Sequence, residues 1–145
     1  MSDERKIWLS LLAKAPADRL APLWAETGLA PEFEWLRTPE IGGVMTRGRM
    51  GATGAPFNLG EITVTRCSVR LQSGEVGHGY VQGRDKATSE IAAKVDALMQ
   101  GANAARLRRE VLDPIAEEMA DARRTRSAKA AATKVDFFTM VRGED

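Results

Sequence analysis

Arginine and glycine crowd into RGRMGATGAPFNLGEITVTRC, residues 47–67, the run of this sequence whose composition most resembles an anion site. Arg47 and Arg49 lie two apart, so on a strand they share a face. Glycines at 48, 51, 54 and 60 free the backbone, and Thr53 and Asn58 add hydrogen-bonding side chains. Guanidinium forks and clustered backbone N–H groups are what a phosphate or phosphonate needs. The run is not a P-loop, because GATGAPFNLG lacks the closing Gly-Lys-Ser/Thr. A tight loop between bulged strands would call for the same glycines on geometry alone, so both readings stand.

Arg66, Ser68 and Arg70 alternate along the next stretch and share a strand face, either solvated or set against a partner. His78, in GHGYVQGRD, is the only histidine. Its ordinary pKa near neutrality suits acid–base work, but beside Val76 and Tyr80 it also reads as a hydrogen-bonded core or interface group. Gly77 and Gly79 leave room for something bulky to pack against it. Arg84 joins the anion-binding or partner-binding residues, and Asp85 reads as a helix cap. Cys67 reads as a buried, inert thiol, since neither a histidine nor a helix start stands near it in sequence. No nucleophile–base pair, carboxylate pair or metal-ligand spacing emerges, so no catalytic residue and no metal site is assigned.

The elements that must position these residues follow from patterning. Ile7, Trp8, Leu11, Leu12 and Ala15 recur at helical spacing over residues 3–15, with Asp3 as the expected cap. A second helix is expected over 17–27, stopped by Gly28, with Pro22 kinking it or shifting its start. Residues 33–37, 41–50, 61–71 and 75–82 read as strands, the last two joined in a hairpin at Ser73-Gly74. The apolar alternation slips within 61–71, which calls for a bulge near Thr65-Arg66 or burial on both faces. Helix returns over 85–100 with a stripe of Ile91, Val95, Leu98 and Met99, closed by Gly101, and again over 103–112. Asp113-Pro114 then restarts a last helix, whose thin stripe is Ile115, Met119 and Ala122. The fold expected is α+β: an antiparallel sheet of about four strands, with helices at both chain ends packed on one face.

A chain of 145 residues suits one core. A net charge of +1 argues against a general nucleic-acid binder. One cysteine can form no internal disulfide. The opening MSDERKIW lacks the layout of a signal peptide, and no apolar run approaches the roughly 20 residues of a membrane helix. A reducing, cytoplasmic setting without membrane attachment is expected.

Residues 122–134 are rich in Ala, Arg and Lys and read as a solvated helix or a linker. Beyond them Val135, Phe137, Phe138, Met140 and Val141 concentrate apolar surface near the terminus. The expected division is a single domain over 1–134 and a docking tail over 135–145, with Phe137, Phe138, Met140 and Val141 as interface residues. The tail would dock on another subunit, or on a second copy in a homodimer.

The stretches LRTPEIGGVMTRGRMGATGAPFNLGEITVTRCSVRL, GEVGHGYVQGRDKATSEIAAKVDAL and AAATKVDFFTMVRGE resemble the G subunit of the bacterial carbon–phosphorus lyase system, essentially end to end. TGAPFNLGE, TVTRC, GHGY and VDFFTMVRG are long and unusual motifs. The resemblance implies a subunit working with the I, H, J and L subunits of phosphonate breakdown. Together, G, H, I and L exchange the adenine of ATP for an alkylphosphonate, giving ribose 1-alkylphosphonate 5-triphosphate. It also implies that Mg-ATP is a substrate of the complex and that this chain alone binds no cofactor and performs no catalysis. The iron–sulfur and S-adenosylmethionine chemistry of the later step belongs to J. Two other readings compete on the residues themselves: a stand-alone phosphate- or nucleotide-binding domain built on the 47–60 loop, and a homo-oligomeric scaffold without a small ligand.

Overall fold

The computed structural model describes residues 2–49 and 56–143, and within these it describes the backbone alone for 46–49, 56–59 and 135–143. Two helices, α1 (Asp3–Lys14) and α2 (Ala17–Thr27), lead into strands β1 (Phe33–Arg49), β2 (Pro56–Leu71) and β3 (Val76–Gln82). Then come α3 (Lys86–Leu98), the short α4 (Ala104–Leu107), a π-helical stretch Arg108–Leu112, and the long α5 (Asp113–Gly143).

The helix starts follow local chemistry. Ser2, not Asp3, caps α1: its hydroxyl accepts from the Arg5 N–H, and Asp3 sits in the first turn, where its charge favours the helix dipole. Gly28 ends α2 in the left-handed conformation at φ 70°. Pro22 lies inside α2 without displacing its start. Asp85 caps α3 by accepting from the Thr88 N–H, and that bond holds its carboxyl below the usual range.

Among the described residues the sheet has three antiparallel strands in the order β1-β2-β3, not the expected four. The two short strands expected over 33–37 and 41–50 are one strand of 17 residues. Pro39 does not break it. β1 is an edge strand, and its ladder with β2 shifts register between Arg37 and Glu40, so a residue without an N–H is tolerated there. The slip in β2 comes from burial on both faces. Val64 and Thr65 are both buried, and the β2–β3 register runs unshifted from Val64 to Arg70.

One sheet face carries α3. A Cβ on Gly77 would lie 2.0 Å from the Ala93 carbonyl oxygen, and one on Gly79 2.0 Å from that of Ser89. The bulk that these glycines admit is therefore the α3 backbone, approached through the buried small residues Ser89, Ala93 and Ala97. Phe33 and Trp35 meet edge-on at 5.1 Å and pack on the cluster of Cys67, Val69 and Ala93. A larger core joins Trp8, Leu12, Leu20, Val81, Val95, Met99, Leu107 and Val111.

Among the described residues no strand lies beside the outer edge of β3, and side chains take that place. The Asp96 carboxylate, fully buried, accepts from the His78 backbone N–H at 2.9 Å, from Trp8 Nε1 at 2.8 Å, and from Arg5 at 2.9 and 3.1 Å. Gln100 donates to the Val76 carbonyl at 2.7 Å. Hydrogen bonding to Asp96 raises the pKa of Arg5.

Asp113 is no cap, and the C-terminal helix does not restart there. Asp113 is helical, and its N–H reaches back to the Arg108 carbonyl. Pro114 has no N–H for the carbonyl of Glu110, and its ring crowds that oxygen. The wider π turns over Arg108–Leu112 contain Glu110, so the helix passes the proline intact. Alanine, arginine and lysine have high helix propensity, and α5 continues through 122–134 as helix, not linker, across residue 135 to Gly143. Every residue from 121 to 134 is exposed. No helix among the described residues is long and apolar enough to cross a membrane.

Asp96→Ala would strand a guanidinium, an indole N–H and a strand N–H together. Removing one partner of a buried pair costs about 3–5 kcal/mol, so a loss of that size is expected in urea denaturation. A loss under about 1 kcal/mol would show that the edge is held by other contacts.

Candidate functional site

The sheet face away from α3 collects most of the described polar residues that the sequence singles out. Arg37, Ser68 and His78 are neighbours in one row across the three strands. The flanking rows are Glu34–Arg70–Val76 and Glu40–Arg66–Tyr80. In β3, Gly77, Gly79 and Val81 are buried while His78, Tyr80 and Gln82 are exposed, so the face is open to solvent.

At its centre Ser68 Oγ and His78 Nδ1 are hydrogen-bonded at 2.8 Å. Arg70 pairs with Glu34 at 2.9 Å. Arg66 reaches Glu40 only at 4.0 Å, and both side chains are 56% exposed, a geometry that contributes little in water. Arg37 makes no ion pair among the described residues. Three guanidinium groups and an imidazole thus surround the Ser68 hydroxyl, with the two carboxylates on the β1 edge. Such an array can hold an anion or the acidic surface of a partner. It is not a hydrolytic triad: among the described residues no carboxylate contacts the His78 imidazole, whose Nδ1 partner is Ser68.

The sequence-selected residues fall into separate groups. Arg66 and His78 share the face just described. Arg84 is exposed in the turn between β3 and α3. Arg47 lies opposite Asn58, and Arg49 opposite Pro56, at the far end of the β1–β2 ribbon. Eight residues of β2, roughly 26 Å of strand, separate Asn58 from Arg66. Thr53 lies outside the described residues, as do the side chains of Arg47, Arg49 and Asn58 and those of Phe137, Phe138, Met140 and Val141, which stand on α5. Sequence reasoning missed Arg37, because two register shifts in β1 decide which residue faces Ser68. It also missed Glu34 and Glu40, whose role shows only once the register is known.

The ribbon itself is unpartnered. β3 pairs with β2 only from Val64 to Arg70, so Gly43–Arg49 and Pro56–Thr63 form a two-stranded arm. Val44 pairs with Ile62 on it and Met45 follows on the opposite face; all three are exposed, Met45 by 52%. Two-stranded ribbons are marginal in water, and apolar surface on both faces favours insertion into another body.

Among the described residues no three His, Cys, Asp or Glu side chains come together as a metal-binding group. The Cys67 thiol is buried, donates to the Ser89 carbonyl at 3.2 Å and accepts from Ser89 Oγ at 3.1 Å. Burial pushes its pKa up. At pH 8 a thiol reagent such as dithiobisnitrobenzoate should therefore label the native chain far more slowly than the urea-unfolded chain. Equal rates would mean that α3 does not close over Cys67.

The family model described as phosphonate metabolism protein PhnG matches residues 3–143. A curated relative from Rhizobium meliloti (strain 1021), alpha-D-ribose 1-methylphosphonate 5-triphosphate synthase subunit PhnG, is 48% identical over 143 residues, covering 98% of this chain and 91% of that protein. The match takes in the arm, the open sheet face and nearly all of α5, and on it the chain belongs to the PhnG family of phosphonate metabolism proteins.

Proposed function

We propose that this chain is a subunit of the cytoplasmic assembly that exchanges the adenine of ATP for an alkylphosphonate, giving a ribose 1-alkylphosphonate 5-triphosphate. The 48% identical relative, named as a subunit of such a synthase, carries the reading. The shape of the chain agrees with a subunit role: a compact body extends a two-stranded arm with exposed apolar side chains and, from 121 to 134, a stretch of α5 whose residues are all exposed. The partners are the I, H, J and L subunits of the same system. Mg-ATP enters as a substrate of the assembly, and this chain brings no cofactor of its own.

In this reading the chain contributes surfaces. The arm carries Arg47 and Arg49 to a partner or to the edge of a shared anion site, with Thr53 and Asn58 beside them. The sheet face offers Arg66 and His78, with Arg84 close behind in sequence. Phe137, Phe138, Met140 and Val141, on the last turns of α5, dock on another subunit or on a second copy.

Co-expression with the I subunit followed by size exclusion tests the subunit role. Arg47→Ala combined with Arg49→Ala should impair growth on a phosphonate as sole phosphorus source, or weaken assembly, with the melting temperature unchanged. Normal growth with a normal complex would remove the arm from the function. Deleting 135–145 should weaken subunit binding or self-association more than it lowers the melting temperature. An unchanged mass by light scattering and unchanged co-purification would make this segment a mere extension of α5.

A further inference from the structure

A groove runs between α1 and the first turns of α5. One part, of about 480 Å³, is lined by Lys6, Ile7, Leu11, Lys14, Met119 and Arg123 among others. A second part, of about 640 Å³, shares Lys14, Met119 and Arg123 and continues to Arg126. The charged residues lining both parts are all cations: Lys6, Lys14, Arg123 and Arg126. None of the four makes an ion pair among the described residues. Of the nearby acids on α5, Glu118 pairs with Arg19 on α2 and Asp121 with Arg124, and Glu117 does not line the groove. Between the cations lies apolar surface. Ile7 is 69% exposed, the most open large hydrophobic residue among those described, while Leu11 and Met119 are half-buried.

We infer that this groove receives an acidic amphipathic helix from another subunit of the synthase; the inference rests on the subunit role proposed above and adds the surface and the chemistry of what it binds. Lys6 and Lys14 lie eight residues apart on α1, about 12 Å along its axis, and Met119 and Arg126 span about 10 Å of α5. That length matches about two turns of a third helix laid in the seam. Apolar residues at i, i+3 and i+4 of the incoming helix would cover Ile7, Leu11 and Met119, and carboxylates on its flanks would meet the four cations. A small polyanion would satisfy the charges and leave the three apolar side chains in water, which is why a helix fits better. The site also lies where α5 begins to leave the body, so an occupant would brace the helix at the start of its exposed length.

The test uses the intact complex, co-expressed with its other subunits, with a photo-cross-linking residue in place of Ile7. The expected product is a link to a peptide of another subunit that carries Asp or Glu flanking apolar residues at helical spacing. Lys14→Glu combined with Arg123→Glu should lower its yield by more than about tenfold, while the melting temperature of the isolated chain stays unchanged. A complex that forms with no inter-subunit link from position 7, or with a link to a peptide lacking acidic residues, would overturn the inference and leave the subunit role standing. Saturable binding of tripolyphosphate to the complex, lost in the double variant and unaccompanied by a link, would overturn it in favour of a small-anion site. Failure of the unmodified chain to co-purify with any other subunit would overturn the subunit role and this inference with it.

Discussion

A sheet that ends in an uncovered strand presents unpaired N–H and C=O groups, and this fold resolves that problem at β3 with one carboxylate. Asp96 projects from α3 and takes the His78 N–H as a neighbouring strand's carbonyl would, while binding the Arg5 guanidinium and the Trp8 indole of α1. The charge is tolerable in the interior because every donor around it is satisfied. Three elements are fixed by one group: α3 is set along β3, α1 is tied to α3, and the His78 backbone is anchored. The close approach of α3 to Gly77 and Gly79 follows, since a helix held at that distance leaves no room for a Cβ.

With one sheet face sealed by α3, the other is left open, and its polarity is a consequence of strand alternation. Buried glycines and valine on β3 force His78, Tyr80 and Gln82 outward. Register then decides who meets whom: Ser68 joins His78, Arg70 joins Glu34, and Arg37 meets no carboxylate among the described residues. The anchoring of the His78 N–H by Asp96 thus reaches the open face, because it fixes the strand from which the imidazole meets Ser68. An array of donors on a rigid sheet is a surface ready to meet a partner's acid or a bound anion without reorganising.

Much of the body was legible in the sequence, and the reasons are local. α1, α2 and α3 carry apolar stripes of helical period, and their ends are marked by residues with cap chemistry, Gly28 and Asp85 among them. The β2–β3 turn is marked by Ser73-Gly74, where Gly74 adopts φ 107°. What failed to show depended on tertiary setting. Pro39 reads as a break unless β1 is known to be an edge, and Pro114 reads as a restart unless the preceding turns can widen. Asp96 lies in a sequence, AKVDALM, where an acid looks like an ordinary surface residue of an amphipathic helix. Of the site, Arg66 and His78 were recognisable by type, but their company was not, because a face is assembled by register and β1 shifts register three times.

The contrast between body and projections bears on how such a chain exists. Ordering a residue costs about 1–2 kcal/mol of backbone entropy, and burial of apolar surface returns about 25 cal/mol per Å². In the body, Leu12, Leu20, Val69, Val81, Val95, Leu107 and Val111 are all but fully buried, so the return is large. On the arm, Val44, Met45 and Ile62 remain exposed, and from 121 to 134 α5 buries no side chain. There the ladder and the intrahelical bonds must hold the conformation nearly alone, and isolated ribbons and helices are marginal in water. The same residues become favourable once a second surface covers them, because the ordering cost is then set against new burial. Burial that covers the arm and the exposed stretch of α5 would therefore add stability that the lone body does not supply to them.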